Sequence, residues 1–294
     1  MGGVEPNKQL DLFADSRDVM LRNDLAEALV REGASAASAA LARLAAEYPD
    51  DATLQPAQQM VAALAASTTP FADAAAAEKA QSELEHGLTH AARAVLGPAQ
   101  ATPWLRLRWA ALARRAAALP WQAGQPHAAA MWLQAGDWLA AQESVEGIAS
   151  WRRIPLPLCW AAQATWHRRG QDAAWPLLAE LAWLAPRLLA PTAAALRSAP
   201  LDKLLRRFEA ELDVDSAADD AAWFPAWALI DQPGLAEVLA RAEATQDREP
   251  ERACKSVLAL LRLERQGRQH EVVAERRQLR ALHETLFACY MKTR

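Results

Sequence analysis

Twice in this chain a glycine and a proline stand sixteen positions apart and bracket an alanine-rich run with leucines at helical spacing. Gly33 precedes Ala37, Leu41 and Leu44 and then Pro49; Gly170 precedes Ala173, Ala174, Leu178 and Leu181 and then Pro186. A glycine turns the chain tightly, small alanines let two helices approach, and a proline cannot continue a helix. Gly136-Asp137-Trp138, followed by Ala140, Ala141, Val145, Ile148 and Pro155, reads as a third unit. A shorter echo pairs Trp109-Ala-Ala-Leu-Ala with Trp160-Ala-Ala-Gln-Ala. The pattern calls for helix hairpins that bury their apolar faces against one another.

Composition agrees. The 294 residues are 52% hydrophobic, and much of that is alanine, the best helix former; tyrosine and β-branched residues are scarce, which disfavours strands. The expected fold class is all-α. The first helix starts near Asp15 or Ser16, which can cap free N–H groups, and carries Val19, Leu21, Leu25 and Leu29 on one face. Gly33 suits the left-handed position after it, and a second helix runs from about Ser35 to Tyr48. Further helices are expected over about 56–67, 71–95, 103–118, 126–141, 157–169, 201–212, 219–230, 234–245, 249–266 and 268–290.

Gly-Asp-aromatic at the turn, small residues on the second helix and a closing proline resemble the tetratricopeptide repeat family. The likeness covers three degenerate units, with neither a steady 34-residue period nor a complete first-helix signature. It implies stacked antiparallel helix pairs in a TPR-like α-solenoid, whose units bury their faces only by stacking.

All 12 tryptophans fall between Trp104 and Trp227. That shift suggests residues 1–14 as a flexible tail, 15–103 as N-terminal helical repeats, 104–230 as a Trp-rich middle and 231–294 as a C-terminal helical cap. The net charge of −4 is concentrated at the front: residues 1–103 carry 7 basic against 14 acidic side chains. An acidic chain is a poor general binder of polyanions. Cys159, Cys254 and Cys289 fit no metal or redox spacing, and with no apolar core at the N-terminus a reducing, cytoplasmic location is expected. No run approaches the length needed to span a membrane.

Residues 9–13 read Gln-Leu-Asp-Leu-Phe. All five positions resemble the bacterial sliding-clamp-binding pentapeptide. Leu12 and Phe13 are adjacent apolar anchors, Gln9 offers an amide for a pocket rim, Leu10 adds contact area and Asp11 fills the variable third position. The resemblance implies a protein partner on replicating or repaired DNA. The competing reading is intramolecular, with Leu10, Leu12 and Phe13 folding back as a staple near Leu21 and Leu25.

Five arginine doublets occur: Arg114-Arg115, Arg152-Arg153, Arg168-Arg169, Arg206-Arg207 and Arg276-Arg277. With Trp104, Trp109, Trp151 and Trp166 nearby, Arg114, Arg115, Arg152, Arg153, Arg168 and Arg169 could line a groove for single-stranded nucleic acid. Against this, tryptophans at helical spacing usually lie in the core and arginine doublets on solvated faces.

His86 and His90 stand one helical turn apart near Glu83 and Glu85, but no third ligand accompanies them, and a solvated helix face is the plainer reading. The acidic stretch Glu211 to Asp220 lacks the glycine and terminal glutamate of a calcium loop. No nucleophile elbow, phosphate-cradling loop or paired Cys–His motif is present. The sequence therefore predicts no catalytic residues, metal or cofactor. It points to a non-enzymatic scaffold or adaptor for protein–protein interaction, with a nucleic-acid-binding module as the alternative.

Overall fold

The computed structural model describes residues 16–212, 220–243 and 245–294, and every regular element among them is helical. The protein is all-α. It divides into two compact units, one ending at Asp137 and one beginning at Trp138.

The first unit contains α1 (Arg17–Val30), α2 (Ala34–Glu47), α3 (Leu54–Leu64), α4 (Ala74–Ser82), a π-helical turn (Glu83–Leu88), α5 (Thr89–Ala116) and α6 (Ala128–Ala135). Leu21, Leu25 and Leu29, at four-residue spacing, are buried with Ala37, Ala40 and Leu44 of α2. Met60 of α3 and Trp104 of α5 complete this core. The Trp104 indole N–H donates to the Leu29 carbonyl at 3.1 Å, which ties α5 to the end of α1. A second cluster joins Phe71, Ala77, Leu84, Trp109, Leu112 and Met131.

The turn after α1 departs from expectation. Glu32, not Gly33, takes the left-handed conformation, with φ 57°, whereas Gly33 has φ −80° and precedes α2. The Glu32 N–H donates to Leu29 O and the Gly33 N–H to Ala28 O, the hydrogen-bond pattern of a Schellman ending. A Cβ added at Gly33 would sit 3.4 Å from the Ala36 Cβ, an ordinary contact distance, so neither backbone nor space requires glycine there.

The second unit contains α7 (Trp138–Glu146), α8 (Pro155–Arg169), α9 (Gln171–Leu184), α10 (Leu189–Leu196), α11 (Ala199–Glu211), α12 (Phe224–Asp231), α13 (Ala236–Leu239), α14 (Glu249–Arg265), α15 (Gln269–Leu282) and α16 (Glu284–Lys292). α8 packs on α7 and α9; α9 also packs on α12, which in turn meets α14. Residues 174–183 of α9 are buried throughout, as suits a central helix that is apolar on every side. Trp175 and Phe224 stack at 5.9 Å, while Phe208 meets Phe224 and Trp227 edge-on at 5.4 and 5.7 Å.

The two bracketed runs match in length and in how they end, but not at the glycines that open them: Gly33 has φ −80° and Gly170 φ 86°. α2 and α9 are each 14 residues long. Each ends in a non-helical residue of the same conformation before the proline: Tyr48 with φ −134°, ψ 72° and Ala185 with φ −148°, ψ 72°. In the third run Gly136 is left-handed and α7 ends at Glu146, but Pro155 opens α8 instead of closing α7.

Other boundaries move for local reasons. The helix expected over 126–141 breaks at Gly136, and the one over 268–290 breaks at His283. His283 caps α16 by accepting the Leu286 N–H on Nδ1 at 3.1 Å, and His127 caps α6 by accepting from Ala129 at 3.2 Å. Burial lowers both imidazole pKa values, which favours the neutral, accepting ring. Pro103, expected to begin a helix, lies inside α5, whose two straight parts meet at Gly97. The helix expected over 234–245 shrinks to four residues.

Candidate functional site

Three helix faces of the first unit converge on one groove. α5 contributes Arg108, Ala111, Leu112 and Arg115; α3 contributes Gln59, Ala62 and Ala63, with Ala66 just beyond its end. α4 and the π-helical turn contribute Ala80, Glu83, Leu84, Gly87 and Leu88. Each set follows the i, i+3, i+4, i+7 spacing of one helical face. Ala62, Ala63, Ala66, Ala80, Gly87 and Ala111 put small side chains where a packed interface would place large ones, and a cavity of about 730 Å³ results.

The third wall is shaped by the π-helical turn. The Leu84 carbonyl accepts both the Thr89 N–H, the long bond of the widened turn, and the Thr89 hydroxyl at 2.8 Å. Such turns recur at functional sites. No sequence signal marked this one.

The rim is basic. Arg115 lies 3.9 Å over the Phe71 ring and donates Nε to the Thr69 carbonyl at 2.9 Å; the Phe71 N–H donates back to the Arg115 carbonyl at 3.0 Å. The loop after α3 is thus tied to α5 through this one arginine. Arg114 stands 5.8 Å from the Trp132 ring. Among the described residues neither guanidinium forms an ion pair. Arg108 differs: it pairs with Glu32, lies 5.2 Å over Trp104, and has a buried Nε without a hydrogen-bond acceptor. Glu83 is the groove's one lining carboxylate. These groups can hold and orient a ligand: guanidinium donors stand beside an apolar floor.

The six arginines singled out in the sequence are used differently. Arg114 and Arg115 share the groove's rim. In the second unit, Arg152 donates to both oxygens of buried Glu180 at 2.7 Å each and also pairs with Glu243, to which Arg153 comes within 3.8 Å. Arg168 donates to the Gln142 side chain at 2.8 Å, and Arg169 is exposed. Of the four tryptophans considered with them, Trp104 and Trp109 are buried and Trp151 and Trp166 half-buried; none of the twelve is fully exposed.

Residues Gln9, Leu10, Asp11, Leu12 and Phe13 lie outside the described residues, as does most of the acidic stretch before Asp220. His86 sits on the π-helical turn with Nδ1 3.1 Å from the Ser82 carbonyl, and His90 lies on α5. Among the described residues no three metal-ligating side chains come together, and no helix is long and apolar enough to cross a membrane.

Sequence reasoning missed Arg108 and the three helix faces, and it named Glu83 only as a neighbour of His86 and His90. Their spacing is present in the sequence, but nothing there pairs three separate stripes around one space. No family model matches the chain, and neither a curated protein nor a solved structure is significantly similar to it. What the helices define is the class: an all-α protein.

Proposed function

We propose that the chain is a non-enzymatic, cytoplasmic helical-repeat adaptor for partner proteins, docked on the bacterial DNA sliding clamp through Gln9–Phe13. The observation that carries this reading is the junction between motif and scaffold. Phe13 precedes Ser16, the N-terminal cap of α1, by three positions. From its first residue that helix is held: Arg17 donates Nε and a terminal nitrogen to the two oxygens of Glu47 on α2 at 2.9 and 2.8 Å. A short docking segment beside a fixed helix carries the whole scaffold to its partner. The shared length and C-terminal ending of α2 and α9 support the TPR-like, repeat-based architecture, and three buried, unpaired cysteines suit a reducing compartment.

Pull-down with purified clamp tests the reading. Wild type is retained, and the double substitution Leu12→Ala, Phe13→Ala binds about tenfold more weakly or worse, as expected for paired apolar anchors. Equal binding rejects clamp docking.

The nucleic-acid reading is favoured by one observation, the absence of carboxylate partners for Arg114 and Arg115 among the described residues. It requires wild type to shift a labelled single strand in a salt-dependent way. No shift at low salt rejects it.

A further inference from the structure

Clamp docking leaves the groove of the first unit without a role. We infer that this groove binds a small amphipathic anion, with an acidic head against Arg114 and Arg115 and a hydrocarbon body on the floor between α3, the π-helical turn and α5.

Size is the first support. A cavity of about 730 Å³ falls within the range of small-ligand sites, which are mostly apolar with a few placed polar groups. The floor has that character: Ala62, Ala63, Leu84, Ala111 and Leu112 face the space. It is also open where the π-helical turn passes, since a Cβ added at Gly87 would come no nearer than 4.0 Å to the Gln59 side-chain oxygen. Apolar surface of this kind gains by covering itself with hydrocarbon, in proportion to the area removed from water.

Charge is the second support, and it is independent of shape. Three arginines and one glutamate line the groove, and Arg108 is already paired outside it with Glu32. Arg114 and Arg115 therefore stand as positive charge without a carboxylate among the described residues. Arg115 is also held in place. Its Nε is spent on Thr69 and its face lies on Phe71, which leaves the terminal nitrogens to meet an acid. A guanidinium fixed before binding loses little freedom when the ligand arrives, and paired N–H donors match a carboxylate or phosphate.

The probes are decanoate and decanol, which share a tail and differ in the head, titrated into the full chain by calorimetry. Wild type should bind decanoate saturably and decanol about tenfold more weakly, the factor expected for a charge-assisted hydrogen bond. Arg114→Gln alone, at an exposed position, should reduce that preference, and Arg114→Gln with Arg115→Gln should abolish it. Ala111→Phe should weaken both ligands by filling the floor, with an unchanged melting midpoint confirming the fold. Clamp retention should be the same in all these variants, so failure here is distinguishable from failure of clamp docking. The inference is overturned if decanoate does not bind, if decanol binds as tightly, or if the double variant keeps the preference. A leucine- and glutamate-rich peptide binding where decanoate does not would equally overturn it.

Discussion

Glu32 turns the chain out of α1 in a left-handed conformation and spends its carboxylate on Arg108, seventy-six residues away. The two facts are coupled. A non-glycine residue in that conformation costs about 1 kcal/mol or more. The Arg108 side chain is only 14% exposed and would be left short of a partner without Glu32. Glu32→Ala keeps the strained backbone and loses the pair; Glu32→Gly loses the pair but relieves the strain. The alanine variant should therefore be the less stable of the two by about 1 kcal/mol in urea unfolding. Equal midpoints would mean that the turn carries no strain.

Arg152 pairs with Glu180, whose side chain is almost wholly buried in the second unit. Glu180 lies on the central helix α9, and besides both Arg152 bonds it accepts the Glu243 N–H at 2.7 Å. Burial pushes its carboxyl upward, and the bonds from Arg152 and Glu243 offset only part of that. Arg152→Met removes the larger offset and leaves a buried carboxylate unpaired, a loss of about 3–5 kcal/mol. The sign follows from linkage. A carboxyl whose pKa is raised in the folded state favours folding when protonated, so that contribution is lost as pH rises through the folded value. The variant's deficit should therefore be smaller at about pH 5 than at about pH 8. A deficit independent of pH would place the cost in packing instead of charge.

Two glycines define chain bends by backbone alone. Gly97, with φ 71° and ψ 167°, joins the two parts of α5, and Gly170, with φ 86° and ψ 178°, joins α8 to α9. These angles belong almost exclusively to glycine. Nothing lies within 4 Å of a Cβ added at either site. Gly97→Ala and Gly170→Ala should each cost about 1–3 kcal/mol through strain without any clash, read as a fall in the urea midpoint. A neutral outcome at either site would show that the bend adapts.

The same residues show what a sequence can and cannot reveal. Gly170 and Pro186 bracket α9 as their spacing predicts, because turn and stop are local properties of those two residue types. The left-handed residue after α1 escaped because the stabilising contact, Arg108, is remote in sequence. His283 escaped because histidine is an unusual cap, and its role depends on burial keeping the ring neutral. Arg152 and Arg153 read as candidate nucleic-acid contacts or a solvated doublet, yet Glu180 stands 28 residues from Arg152 and is buried against it. At the groove, each small-residue stripe is legible as a helix face. That three such faces surround one space is set by packing, and of the four tryptophans weighed as a binding surface Trp104 and Trp109 lie in the core.

Glu251 offers the sharpest test by acid. It is fully buried at the start of α14, where its Oε2 accepts the N–H groups of Thr245, Gln246 and Asp247 at 3.0, 3.2 and 3.1 Å, and the Thr245 hydroxyl at 3.1 Å. Its other oxygen lies 2.8 Å from the Lys255 ammonium. Burial alone would raise the carboxyl's pKa. Lys255 and the backbone donors outweigh it and bring the value from an ordinary 4.5 down to about 2. A depressed carboxyl stabilises the fold fully above its unfolded pKa and loses that contribution as pH falls toward the folded value. The window is therefore about pH 4.5 to 2, and the amount is on the order of 3 kcal/mol. Glu251→Gln cannot ionise, so it should be less stable than wild type at neutral pH, with the gap closing as the pH falls through this window. Urea midpoints at about pH 7, 4.5 and 3 measure it. A gap that stays constant would mean that the carboxylate's charge contributes nothing and that the side chain acts through shape and neutral hydrogen bonds alone.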